Sequence, residues 1–291
     1  MASLTEATRA PAEVLPQEGR GRRAVAYILL TAWALLMFVP FAWTIITSLK
    51  DRPEIYSMSL PASPDLEAYV FAWGDVPPGL PVLFLNSMGL AAAVTLSNVI
   101  LGSMAGYAFA RLRFPGREIL FLAVLATLMI PDQLRLVPVY VIMNFLGLTR
   151  DTPANYLSVF LVMAVSASSI FLLRQYFLTI PRDLEEAARI DGAGYFRTYW
   201  SVVLPLATPA LAAVAILQFQ GSWNGLFWPA MFLTRDHWTL PFGIVQLQGV
   251  FQTNWPPMMA IVVVATLPIV VLFVFFQRYF VEGIAAAGVK G

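Results

Sequence analysis

The sequence predicts an all-α, polytopic membrane protein with six transmembrane helices and both termini in the cytoplasm. Three observations carry that prediction. The chain has 291 residues, of which 59% are hydrophobic and only 12% charged, and its mean hydropathy is +0.72; a soluble domain carries about a quarter charged residues. The apolar residues are gathered into long uncharged runs, as membrane spans require. The basic residues fall mostly on alternate connecting segments, as the positive-inside rule expects.

A hydrocarbon core about 30 Å thick takes roughly 20 helical residues to cross. Residues 1–23 are polar, with Pro11, Pro16 and four arginines, and read as a flexible cytoplasmic tail. The first span is 24–47, uncharged throughout and too long for the core of a cleaved signal peptide. The others are 83–110, 118–136, 155–173, 205–230 and 258–277, and 282–291 form a cytoplasmic C-terminal tail. The third span is the least clean, since its uncharged part ends at Ile130 and Pro131, Asp132 and Arg135 follow. Residues 138–148 are too short for a crossing and read as a re-entrant or interfacial piece.

Lysine and arginine test this layout independently. With six spans, the two tails and the second and fourth loops share one side and hold 13 of the 18 basic residues. That side is therefore cytoplasmic. A seventh crossing at 138–148 would place Arg174, Arg182, Arg189 and Arg197 outside, against the bias. Within the second span, Gly102 and Gly106 have the spacing that lets two helix backbones approach closely.

Composition also excludes several function classes. Cysteine is absent and His237 is the one histidine, so thiolate metal sites, cysteine nucleophiles and histidine-based catalysis have nothing to build on. No metal site is expected. Net charge is +1 with scattered arginines, which gives no footprint for nucleic acid.

Charge is densest at 182–191, R-D-L-E-E-A-A-R-I-D, where six of ten residues are ionic. Pro181 suits a first helical position. Asp183, Glu185 and Glu186 crowd a helix N-terminus, where the macrodipole favours negative charge. Glu185 and Arg189 stand four apart in the favourable order, a pair worth about 0.3 kcal/mol. Gly192 and Gly194 end or bend the helix. Its apolar face is mostly alanine and its charge is net acidic, which suits neither lipid insertion nor the anionic inner leaflet. Small residues ringed by charge fit a groove on another protein; a solvated loop helix is the plainer reading.

This stretch, E-A-A-R-I-D-G followed by Val202-Val-Leu-Pro205, resembles the EAA loop of binding-protein-dependent ABC importer permeases. The family pattern is E-A-A, three residues, G, nine residues, then I-x-L-P. Glu186, Ala187, Ala188, Gly192, Leu204 and Pro205 match, and Val202 replaces isoleucine. Phe84-Leu-Asn-Ser87, the stretch from Ala105 to Arg111, Phe114-Pro-Gly116, Pro138-Val-Tyr140 and Leu146-Gly-Leu148 are similar to other family segments. Trp223-Asn224 and the ending Gly288-Val-Lys-Gly291 resemble the second permease of maltose-type carbohydrate importers.

The resemblance implies a type I ABC importer permease fold in the cell membrane. It implies that 181–204 is a coupling loop docked on a cytoplasmic ATPase through Glu185, Glu186, Ala187, Ala188, Arg189, Asp191, Gly192, Leu204 and Pro205. The C-terminal tail, with Gly288 and Lys290, would reach toward the same ATPase. The implied partners are a homologous second permease, two copies of the ATPase and an extracytoplasmic solute-binding protein, with the bilayer as surroundings. ATP and magnesium would sit on the ATPase and no cofactor on this chain. The chain itself would be non-catalytic.

The residues agree on that last point. The tail Gly283 to Gly288 nearly imitates a phosphate-binding loop, but Val289 stands where the lysine must be. The five clear spans contain no Asp, Glu, Lys or Arg. Ion-driven carriers usually place such groups there, which argues against the alternative of a secondary transporter working without an ATPase. Asp132 and Arg135 read as a local ion pair. Gln218, Gln220, Trp223 and Asn224 gather in the fifth span, where they either line a translocation path or make helix–helix hydrogen bonds between subunits.

Overall fold

The computed structural model describes residues 20–149, 155–248 and 253–288. Fourteen α-helices and no strand occur among the described residues. The chain divides into two units at residue 44. The first holds most of α1 (Arg20–Ser48), which is apolar and long enough to cross a membrane. Thr44 Oγ1 donates to the Pro40 carbonyl there, 2.9 Å away.

The second unit starts at Ile45, carries α2 (Glu67–Gly74) and continues into α3 (Leu80–Arg111), its longest fully described helix. Then come α4 (Arg117–Ala126), α5 (Asp132–Phe145), α6 (Asn155–Met163) and α7 (Ala167–Thr179). The short helices α8 (Asp183–Ile190), α9 (Tyr195–Thr198) and α10 (Leu204–Leu206) precede α11 (Thr208–Trp223). The unit closes with α12 (Phe227–Phe232), α13 (Leu240–Gln246) and α14 (Trp255–Gly288). Gly21–Ser48, Leu80–Arg111, Asn155–Thr179 and Trp255–Phe276 are long and apolar enough to span, and two bent pairs bring the number to as many as six.

Both bends fall at prolines. The expected third span, 118–136, is not one straight helix. A 3-10 turn at Thr127–Met129 ends the first piece, and α5 leaves at 107° to it. Pro131 cannot donate to the preceding turn, so the helix stops there. The short piece expected at 138–148 is accordingly part of α5, which runs through Pro138. The second bend, 79°, separates Tyr195–Leu206 from Thr208–Trp223. A π turn at Tyr199–Val203 precedes Pro205, and Thr208 Oγ1 donates to the Pro205 carbonyl at 2.7 Å, which Pro209 leaves unmet. The expected fifth span, 205–230, also breaks, because α11 ends at Trp223 and α12 starts at Phe227.

A third interruption lies between α6 and α7, at residues 164–166. Asn98 of α3 is fully buried against it and uses its whole amide. Its Nδ2 donates to the carbonyls of Val94 and Met163, both at 2.9 Å. Its Oδ1 accepts from Ser166 N at 2.7 Å and Ser169 Oγ at 3.1 Å. Ser97 Oγ takes the Ala164 carbonyl at 2.7 Å. One turn of α3 thereby satisfies the broken backbone, which in hydrocarbon would cost several kcal/mol per open group.

Gly102 and Gly106 place α3 against α7. A Cβ on Gly102 would stand 3.1 Å from that of Ser169, and one on Gly106 3.0 Å from Arg174 N. The close-packing pair is thus internal to the chain.

Candidate functional site

α8 begins at Asp183, with Arg182 at the N-cap, two residues beyond Pro181. Its first turn holds Asp183, Glu185 and Glu186 as the sequence predicts. Its end is a Schellman closure: Ala193 N donates to Ala188 O at 2.9 Å and Gly192 N to Arg189 O at 3.0 Å. Gly192 adopts φ +83°, the left-handed conformation that closure needs.

The expected Glu185–Arg189 pair does not form. Glu185 is 4% exposed and points into the bundle, whereas Arg189 lies over the Tyr195 ring at 4.6 Å. The partner of Glu185 is Arg111, the last residue of α3, with Nε 2.8 Å from Oε1. The N–H axis is off this line, so the contact is an ion pair rather than a linear hydrogen bond. Tyr107 OH donates to Glu185 Oε2 at 3.1 Å. Arg111 Nη2 donates to the carbonyls of Phe177, at 2.6 Å, and Ile180. A single guanidinium therefore closes the C-terminal carbonyls of α7 and holds the first turn of α8. Tyr107 and Tyr199 pack at 5.1 Å, and Tyr199 OH bonds Ser103 Oγ at 2.7 Å, which ties the π turn to the same face of α3. The buried pairing with Arg111 and Tyr107 forgoes little, since the exposed alternative is worth only tenths of a kcal/mol.

The neighbouring residues point the other way. Glu186, Ala187, Arg189, Asp191 and Gly192 are exposed, and Ala188 is half-buried. Ile190 is 87% exposed, with Leu184, Tyr195, Phe196 and Trp200 also open. Apolar and charged groups are thus mixed on the open surface around a short helix whose buried side is fixed by charge. Leu204 is half-buried and Pro205 exposed at the bend. Gly288 ends α14, and Lys290 lies outside the described residues.

The amides of α11 separate by helical phase. Gln220 and Asn224 are exposed on one face. Gln218 is half-buried and borders a cleft with Asp132, Arg135, Ser166 and Trp228. Trp223 lines no open volume. It is 1% exposed, donates from Nε1 to the Ala265 carbonyl at 3.0 Å, and packs edge-on to Phe84 and flat on Phe219. It thereby joins α3, α11 and α14 within this chain. Asp132 and Arg135 are indeed an ion pair. His237 is a structural tie, with Nδ1 3.2 Å from Asn155 Nδ2.

Neither Arg111 nor Tyr107 is singled out by the sequence beyond the family-like stretch they share. The available signal was an arginine closing a span, one turn after a tyrosine.

Comparison with known proteins agrees with this architecture. The model for the binding-protein-dependent transport system inner membrane component matches residues 98–285. The arabinooligosaccharides transport system permease protein AraQ of Halalkalibacterium halodurans is 34% identical over 277 residues, covering 92% of this chain and 97% of that protein. The trehalose/maltose transport system permease protein MalG of Thermococcus litoralis is 36% identical over 272 residues, with coverage of 91% and 97%. The sn-glycerol-3-phosphate transport system permease protein UgpE of Yersinia pestis is 30% identical, with coverage of 91% and 96%. Among solved structures, a chain of a bacterial ABC transporter that imports the acidic polysaccharide alginate superposes with a TM-score of 0.75 at 25% identity, over 91% of this chain and 100% of that one. The chain belongs to the binding-protein-dependent transport system inner membrane component family, the non-catalytic permease subunits of ABC importers.

Proposed function

We propose that this subunit forms half of the membrane path of an ATP-driven carbohydrate importer and is moved from the cytosol through α8. The observation that carries the coupling role is the two-sidedness of α8: Glu185 is buried on Arg111 while Glu186, Ala187 and Ile190 are exposed. A helix anchored by charge on one side and bare on the other suits docking in a groove of a partner, where the stroke of the partner is passed to α3 and α7. That partner is an ATPase present in two copies, which binds and hydrolyses ATP. A second, homologous permease completes the path, and a solute-binding protein delivers cargo outside. Lys290 and the tail after α14 approach the ATPase.

Six crossings with both termini in the cytoplasm fit the distribution of arginines, and in that arrangement α8 faces the cytosol. The cargo class follows from relatives named for arabinooligosaccharides, trehalose and maltose, and diacetylchitobiose. Purification of the tagged protein from membranes tests the assembly. An ATPase and a second permease should co-purify, and Glu186→Lys should remove the ATPase while leaving the permease pair. Solute movement by this chain reconstituted alone, driven by an ion gradient, would overturn the reading.

A further inference from the structure

We propose that the cleft between α5, the α6–α7 interruption and α11 touches the transported solute within this subunit, and that it is built for an uncharged, hydroxyl-rich molecule. The inference rests on the permease reading above and adds a site to it. Three features of the backbone meet at this cleft. The chain turns by 107° at Pro131, α6 stops at Met163, and α7 restarts at Ala167. Irregular backbone at membrane depth persists only inside protein or beside a watered cavity, and interrupted spans are where membrane carriers form solute sites. Asn98 and Ser97 close the polar groups of the α6–α7 break from the α3 side. The same stretch lines a cleft of about 450 Å³, within the size range of small-molecule sites, roughly 300–1,000 Å³.

The lining has a specific chemistry. Asp132 and Arg135 form an ion pair in which both side chains keep more than a third of their surface open. Thr127, Ser166 and Gln218 add hydroxyl and amide groups. Trp228 forms an apolar wall, and the Arg135 guanidinium lies 5.9 Å from its ring centre. The ion pair is neutral as a unit but offers both acceptor oxygens and donor nitrogens. An anion would meet Asp132 and a cation would meet Arg135, whereas a polyol can donate to one and accept from the other. Gln218 has the same double capacity.

The absence of cysteine makes the site directly testable. Gln218→Cys and, as a control on the exposed apolar surface of α4, Leu122→Cys would be placed in the complete reconstituted importer. Each would be exposed to small anionic and cationic methanethiosulfonates, and modification of this subunit followed by mass spectrometry. We expect Gln218→Cys to react at least ten-fold faster than the control, at rates within about three-fold for the two reagent charges. Equal rates at Gln218→Cys and Leu122→Cys would overturn the cleft, and a strong preference for one reagent charge would overturn its selection of neutral solutes. The functional arm uses whichever of maltose, arabinotriose and diacetylchitobiose the unsubstituted complex takes up. Gln218→Leu should lower uptake at least five-fold with ATP hydrolysis retained, and Gln218→Asn should restore it. Unchanged uptake in Gln218→Leu would remove the solute contact while sparing the permease reading. Absence of ATP-driven uptake of all three by the unsubstituted complex would overturn the carbohydrate cargo on which the site rests.

Discussion

Arg111 and Glu185 lie 74 positions apart and meet as a buried ion pair, with Nε 2.8 Å from Oε1 and both side chains nearly closed to solvent. The pair joins the end of α3 to the first turn of α8, and the same guanidinium caps α7. Removing one member leaves the other charged and buried, which costs about 3–5 kcal/mol. Glu185→Ala should therefore lower the thermal unfolding midpoint of the purified protein markedly. Replacing both members, as in Arg111→Met with Glu185→Leu, should cost less than the two single losses summed. A double-mutant cycle on unfolding in detergent measures the difference.

Adjacent acids should separate stability from coupling. Glu186 is exposed and Glu185 buried. Glu186→Lys should leave unfolding within about 0.5 kcal/mol of the parent and abolish co-purification of the ATPase. Glu185→Lys should reduce the amount of folded protein itself. Melting curves beside pull-down yields distinguish the two.

Gly192 has open space where a Cβ would go, so its requirement is conformational alone. Gly192→Val should cost about 1–2 kcal/mol through the left-handed φ, and Gly192→Asn clearly less. ATPase association should fall in the same order, because the Schellman closure orients the exposed end of α8.

Asn98 makes four hydrogen bonds at a broken helix. Asn98→Leu is nearly isosteric yet leaves Met163 O and Ser166 N unmet, at about 1–3 kcal/mol for each buried group. Faster hydrogen exchange at residues 163–168 than in the parent is the expected signature, read by mass spectrometry.

Trp223 should behave as packing. Trp223→Phe loses the bond to Ala265 O and part of a tight aromatic cluster, which should cost about 1–3 kcal/mol. Uptake per folded molecule should stay unchanged. A selective loss of uptake at full stability would put Trp223 on the solute path instead.

The α8 helix shows how far local pattern reaches. Its acidic start, its alanine core and its glycine stop are visible in ten consecutive residues, and the structure reproduces all three. The inward turn of Glu185 is not visible, because its partner comes from another span. Local spacing offers Glu185 the surface pair with Arg189. The third span has the same lesson: Pro131 marks a break in the sequence, but the 107° turn depends on how α5 packs. Trp223 and Asn224 are neighbours in one polar-looking motif, yet one is sealed between three helices and the other open.

The sequence by itself determined the apolar helices, the glycine stop of α8 and the EAA pattern with its spacing, since each is written within a few residues by hydrophobicity and backbone sterics. The tertiary structure alone decided that Arg111 holds Glu185, that Asn98 closes the α6–α7 break, and which amides of α11 face a cleft. Those outcomes join segments dozens of residues apart. Buried charge and open backbone are costly enough inside a packed protein that each must find its partner wherever the packing brings one.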